Sequence, residues 1–433
     1  MRRVAWRLLP FLMLSYLIAF IDRVNVGFAA LQMNRDVGLD AAAFGLGSGL
    51  FFLSYALLEV PSNLILDRVG ARIWIARIMI SWGLISGATA FVQGPNSFYA
   101  LRLLLGAAEA GFFPGVILYL TYWFPFRYRA GIVAIFMIAV PISSFIGSPV
   151  SALLLQTDGW LGLRGWQWLF IFEALPAVTL GIIALFWLRD RPRDARWLPP
   201  AQRDWLIREL DSEQEMHCPP VAAQPFWRLT RNRHVVVAAL LCSASAAVSQ
   251  CLSIWQPQIL KSFGVSELQT GVLNALPFGL ASILMVLWGR HSDATDERIR
   301  HVAWALVLVG GGLAATNLVT TLLPTVLLLC ATLTGVYAFK GPFWALATEW
   351  LAPRSAAGGV AYVNAVGAFA TFGSTWLLGI IKDATGSYPL GLLPMAVTCV
   401  VAVIALIWLA RTGSYRQGAT ERRDAAALRQ RTK

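Results

Sequence analysis

Four charged residues stand inside otherwise apolar stretches: Asp22 and Arg23 in one, Arg102 and Glu109 in another. Together they carry no net formal charge. A charge at the centre of a bilayer costs at least about 2.5–3.5 kcal/mol, so residues of this kind call for a role. Two cations and two carboxylates offer anion capture and proton exchange. A guanidinium grips a carboxylate through two parallel hydrogen bonds, which a lysine ammonium reproduces poorly. Desolvation favours the protonated form of a carboxylate and a nearby arginine opposes it. If substrate binding or helix movement changes those contacts, protonation is coupled to it. The plainer reading is a structural ion-pair network that joins two helices.

The elements that must position these groups follow from composition. The chain has 433 residues, 57% of them hydrophobic and only 13% charged, against roughly 25% charged in soluble domains. Mean hydropathy is +0.63. So few charges cannot cover a soluble globule of this size, and lipid must be much of the solvent. A membrane helix needs about 20 apolar residues. Twelve such runs are legible, at roughly 8–30, 44–66, 73–92, 98–123, 130–155, 166–188, 234–260, 268–289, 300–319, 324–349, 356–381 and 389–410. The first run is too long for a signal-peptide core and contains Asp22-Arg23, so it reads as an uncleaved span. A rise of 1.5 Å per residue puts Asp22 roughly 9–12 Å, Arg102 about 6 Å and Glu109 about 16 Å from the outer interface. Arg102 and Glu109 lie about 10.5 Å apart on nearly one helix face. The Asp22-Arg23 level falls between them, so a cluster joining spans one and four is geometrically reasonable.

Of the 35 Lys and Arg residues, only Arg35, Arg164, Lys261 and Lys382 fall outside if both termini are cytoplasmic. Arg23, Arg77, Arg102 and Lys340 lie within spans, and the rest are inside. That asymmetry obeys the positive-inside rule. The net charge of +12 is therefore topological, which argues against nucleic-acid binding. The longest polar stretch, 189–233, divides a six-helix bundle over 1–188 from a second over 234–410, and 411–433 form a basic cytoplasmic tail. Within the linker, Trp205, Leu206 and Leu210 share one face of a short amphipathic helix expected at the membrane surface. The halves also repeat at an offset of about 227 residues, the mark of a duplicated transporter bundle. Asp67 matches Asp293, Pro125 matches Pro353, and Ala130-Gly131 matches Ala357-Gly358.

Span two runs into Asp67-Arg68-Val69-Gly70-Ala71-Arg72, which resembles the loop signature of the major facilitator superfamily, with Asn63 where that family usually has Gly. The stretches Phe20–Val26, Val60–Ala76, Leu101–Pro114, Gly341–Leu346, Asn364 to Gly367 and Trp197–Leu210 are similar to its anion:cation symporters. That organic-acid branch includes 4-hydroxyphenylacetate, tartrate, phthalate and galactonate permeases. The resemblance covers nearly the whole chain and does not name a substrate. It implies an all-α membrane protein with twelve transmembrane helices in two six-helix bundles. It further implies that Arg23 holds a substrate carboxylate, that Asp22 and Glu109 are proton sites, and that Arg102 is their coupling partner. Tyr55, Trp344 and Asn364 match family positions that contact substrate; helix packing is the alternative. Ala368 and Phe20 replace a family Asn and Tyr, which makes this pocket less polar. Asp67, Arg68 and Arg72 read as a conformational latch outside the substrate site.

Lys340 reads either as a second anion site or as a side chain snorkelling to the cytoplasm. Glu173 in span six reads as structural, and Arg77 as an interfacial snorkeller. The five cysteines and four histidines form neither a metal-ligand spacing nor a nucleophile–histidine constellation within the spans. No enzyme, metal or cofactor is expected beyond the proton as coupling ion. The sequence thus points to a monomeric, multi-pass carrier of the bacterial-type inner membrane that imports an organic carboxylate with protons. An aromatic or hydroxy acid is the expected class. A facilitator, anion exchanger or exporter on the same fold is the alternative, and a membrane receptor or enzyme is the rival from another class.

Overall fold

The structure, a computed structural model, describes residues 1–217, 231–295, 297–350 and 356–412, without the side chains of 130, 134, 214–217 and 356–358. Cys218, Pro353 and nearly all of the basic tail lie outside the described residues. Among those described, twelve helical spans are long and apolar enough to cross a membrane, and each covers one of the expected runs. They are α1 (Arg2–Val37), α2 (Ala41–Val69), α3 (Ala71–Ala88), the pair α4 (Pro95–Glu109) and α5 (Phe112–Thr121), the pair α6 (Phe126–Met137) and α7 (Ala139–Leu155), and α8 (Gly165–Trp187). The linker carries α9 (Pro200–His217). After it come α10 (Arg233–Lys261), α11 (Glu267–Thr295), α12 (Arg298–Ala315), α13 (Leu322–Trp350), α14 (Ala356–Thr385) and α15 (Tyr388–Arg411).

Apolar run length predicts span four as one helix, whereas the structure breaks it. Ala110 leaves the helical region at ψ 129° and Gly111 takes φ +85° before α5 resumes. A side chain at Gly111 would be strained by that φ, and a Cβ there would stand 2.5 Å from Ser62 Oγ. Such breaks survive at membrane depth only where protein or a cavity surrounds the backbone. Here the break follows directly on Glu109, so one of the four charged residues ends α4.

Helices α1 to α8 pack chiefly on one another, as do α10 to α15, and the groups meet through α1 with α10, α2 with α14 and α7 with α11. Close approaches across this boundary sit in the half remote from the linker. A Cβ at Gly27 would come within 2.4 Å of Ile254 O, and one at Gly379 within 2.2 Å of Ala41 O. Hydrogen bonds join the groups at the same end. Asn274 Nδ2 donates to Ser148 Oγ at 2.8 Å, and Gln32 Nε2 donates to Glu267 Oε1 at 3.0 Å. Asp383 on α14 accepts from Ala41 N at 3.1 Å and Ala42 N at 2.6 Å in the first turn of α2. Toward the linker end, by contrast, Gly289 on α11 and Gly341 on α13 face open space.

The linker helix α9 (Pro200–His217) packs one face on the rest of the chain. Its apolar stripe turns onto protein: Leu206 is buried and Leu210 packs against the core, while Trp205 stays exposed. Glu209 pairs with Arg127 at 3.4 Å, and Glu213 accepts from Phe126 N at 2.9 Å. These contacts tether α9 to the start of α6.

Candidate functional site

Asp22 and Arg23 are neighbours on α1, about 100° apart around the helix, and they go to different partners. Arg23 forms an ion pair with Glu109 at the last turn of α4. Its guanidinium also lies 4.9 Å from the centre of the Phe20 ring and 5.3 Å from those of Phe51 and Tyr55. Arg102, only 1% exposed, stands 4.9 Å from the centre of the Phe51 ring. Phe51 thus lies against both arginines. Arg102 Nε and Nη2 have no hydrogen-bond partner, and neither does Glu109 Oε2. Cation–π contacts of this kind contribute about 0.5–2 kcal/mol, too little to replace the hydrogen bonds a buried guanidinium would make in water. The site therefore keeps buried guanidinium donors without partners.

Asp22 stays within electrostatic reach of Glu109 and Arg102 and takes hydrogen bonds from its own helix and from α3. Ser86 Oγ on α3 donates to its Oδ1, and Asn25 Nδ2 donates to the same atom at 3.2 Å. Its Oδ2 is buried without a partner. Arg102 reaches Asp22 and Glu109 electrostatically and ion-pairs with neither. The sequence reading groups Arg23 and Glu109 in one cluster without pairing them, and misses Ser86 and Asn25, which hold Asp22. Asn25 carried a legible signal, since three residues on places it over Asp22 on the same helix face.

Tyr16 is another residue the sequence reading passed over. Two turns before Arg23 on α1, it is buried among aromatic rings, with that of Phe136 at 4.5 Å. It lies within electrostatic reach of Arg23 and Glu109, and of Tyr337 on α13 in the other group of helices. Lys340, one turn beyond Tyr337, holds its Nζ 4.3 Å from the centre of that ring and faces Cys242 on α10. Lys340 is thus half-buried, with its ammonium on the Tyr337 face. Trp344 is half-buried against Phe343, with ring centres 5.1 Å apart, and Asn364 is half-buried on α14. The structure brings Asp22, Arg23, Tyr55, Arg102 and Glu109 together. Trp344 and Asn364 belong to the opposite group, and among the described residues neither is hydrogen-bonded to Arg23.

The expected latch residues lie at the linker end, away from this cluster. Tyr122 Oη donates to Asp67 Oδ1 at 2.8 Å, and Arg72 N donates to Asp190 Oδ1 at 2.8 Å. Burial and the adjacent Asp67 carboxylate push the Tyr122 hydroxyl up to about 12. Arg68 is exposed. Asp190, just past α8, is the partner that the loop motif alone does not reveal. A Cβ at Gly70, where φ is +99°, would approach Asp190 Oδ1 to 2.9 Å, which accounts for glycine in the motif.

Comparison with known proteins identifies the architecture. A family profile described as Major Facilitator Superfamily matches residues 12–375. A protein named for tartrate transport in Agrobacterium vitis is 48% identical over 96% of this chain and 96% of its own length. A quinolone resistance transporter of Acinetobacter baumannii is 38% identical over 93% of each chain. The crystal structure of a D-xylose-proton symporter superposes with a TM-score of 0.74 at 13% identity, covering 94% of this chain and 97% of that one, which shows the shared fold. The protein is thus a multi-pass membrane transporter that belongs to the Major Facilitator Superfamily.

Proposed function

We propose that this transporter carries a small organic carboxylate, in the manner of a hydroxy acid such as tartrate, inward across the bacterial inner membrane together with protons. The linker end faces the cytoplasm, as the positive-inside rule requires, and the described arrangement is the one that releases substrate inward. The observation that carries the reading is the Arg23–Glu109 pair beside the under-bonded Arg102. An incoming carboxylate competes with Glu109 for Arg23, and Glu109 released from that pair is the group that takes a proton. Asp22, with Oδ2 unpartnered, is the second proton site. Tyr55, Tyr16 and Lys340 border the substrate on its two sides. The carrier acts as a monomer and needs no cofactor besides the proton.

The test is uptake into proteoliposomes under an imposed pH gradient, acid outside, with labelled tartrate and aromatic acids as probes. The carrier is expected to accumulate a carboxylate above its equilibrium level. Arg23→Ala is expected to abolish saturable uptake, with Arg23→Lys restoring little of it. Accumulation that ignores the gradient excludes symport. Export is the second reading, favoured by the relative named for quinolone resistance, and it predicts extrusion of substrate against the same gradient.

A further inference from the structure

The linker end of the first helix group carries a cavity that the transport scheme above does not use. Its volume is about 600 Å³, within the roughly 300–1,000 Å³ of small-molecule sites. Five arginines line it: Arg72 at the start of α3, Arg189 just past α8, Arg193 and Arg196 in the linker, and Arg203 in the first turn of α9. Two carboxylates, Asp190 and Asp194, share the wall. Among the described residues none of the five guanidinium groups donates a hydrogen bond within the protein, and Arg72 Nε is buried without a partner.

The carboxylates present do not answer these cations. Asp190 is already committed: its Oδ1 accepts from Arg72 N at 2.8 Å, and its Oδ2 stands 3.9 Å from Arg72 Nε. Arg193 lies 3.5 Å from Asp211 on α9, and Arg203 lies 3.8 Å from its neighbour Asp204. Solvent weakens both of these pairs. Arg189, Arg196 and Asp194 form no ion pair among the described residues. By contrast, Arg127, Arg129, Arg298 and Arg300 at the same end face Glu209, Glu213, Glu349 and Glu297 in turn. Cations gathered with too few counter-charges repel one another, and an anion among them turns that repulsion into attraction.

The cavity also lies at a particular depth. The last turn of α8, just before Arg189, exposes Phe186 and Trp187, and Arg72 is followed on α3 by the exposed Ile73. Apolar side chains exposed at the ends of spanning helices mark the boundary between acyl chains and headgroups. Guanidinium forks match phosphate oxygens two at a time, and basic pockets at this level suit anionic headgroups. We infer that this cavity binds a phosphate group, held by Arg72, Arg189, Arg196 and Arg203, which ties the start of α3 and the end of α8 to the linker helix. An anionic phospholipid and soluble phosphate share that chemistry, and the lipid-facing rim favours the phospholipid. The inference is independent of the transported acid, since the cavity shares no residue with the proposed substrate and proton sites.

The experiment is native mass spectrometry of the purified carrier with phosphatidylglycerol and phosphatidylcholine supplied in equal amounts, alongside melting curves with and without inorganic phosphate. The wild type is expected to retain phosphatidylglycerol over phosphatidylcholine by at least about fivefold. Arg189→Gln/Arg196→Gln is expected to lose that preference. Arg290→Gln/Arg300→Gln removes the same charge from exposed positions on α11 and α12 and is expected to keep it. A wild type that shows no lipid preference but melts higher in inorganic phosphate, with no such rise in Arg189→Gln/Arg196→Gln, supports the site and makes soluble phosphate its occupant. No lipid preference and no phosphate effect in the wild type, or an equal loss in both double variants, overturns the inference. If Arg189→Gln/Arg196→Gln does not fold, Arg196→Glu takes its place, because that side chain is exposed and the change sets a carboxylate at the cavity. A lipid preference and phosphate response unchanged in Arg196→Glu overturn the inference as well.

Discussion

At the scale of residues, the feature that matters most is competition for Arg23. Glu109 occupies the guanidinium that an incoming carboxylate needs, and its second oxygen is unpartnered. Glutamine at 109 imitates the protonated acid in shape and charge. Glu109→Gln is therefore expected to keep substrate binding and counterflow, which move no net proton, while pH-driven accumulation falls at least tenfold. A structural Glu109 would lower binding and counterflow together with accumulation, and full accumulation by Glu109→Gln would falsify its coupling role. The grouping of these charges was legible in the sequence, because charges in apolar runs are few and helical rise fixes their depth, whereas the Arg23–Glu109 pair itself was not. Neither were the partners of Asp22. Serine and asparagine at membrane depth look like ordinary helix-packing residues until neighbouring helices show which of them meet a carboxylate.

At the scale of elements, periodicity and run length placed all twelve spans but not the interruption of the fourth. Hydropathy averages over the two or three residues at which a backbone turns. The clue was present in Gly111 with Pro114 close behind it, and only the left-handed φ of Gly111 and its approach to Ser62 make the break compulsory. The break begins directly after Glu109, the residue of α4 that pairs with Arg23. Gly111→Ala is accordingly expected to lose roughly 1–2 kcal/mol from the left-handed conformation alone, with a further loss from contact with Ser62. Equal melting temperatures for Gly111→Ala and the parent would mean that the break tolerates any residue. The linker helix teaches a related lesson. An amphipathic stripe reports that one face is buried and is silent on whether lipid or protein covers it.

At the scale of the whole molecule, the two groups of helices are joined at the end remote from the linker, and alternating access requires that this end part when the linker end closes. The glycine contacts between α1 and α10 and between α2 and α14 are pure packing and need only slide. The polar contacts must break. Among them Asp383 is distinctive, because it places a carboxylate from α14 on two first-turn N–H groups of α2. Negative charge at a helix N-terminus contributes about 0.3–1 kcal/mol when exposed, and this contribution exists only while the remote end is shut. The start of α2 has a second carboxylate, Asp40, which accepts from Ala43 N at 2.7 Å and moves with its own helix. The two aspartates therefore act on different quantities. Asp40→Ala should lower thermal stability in both orientations and leave their ratio alone, as loss of an N-cap does. Asp383→Ala should favour the arrangement open at the remote end by up to about fivefold. Spin-label distances across that end, read in the same lipid for both variants, separate the effects. An unchanged distance distribution in Asp383→Ala, or an equal change in Asp40→Ala, would show that the packing of glycines against backbone, and not the carboxylate, holds the remote end closed.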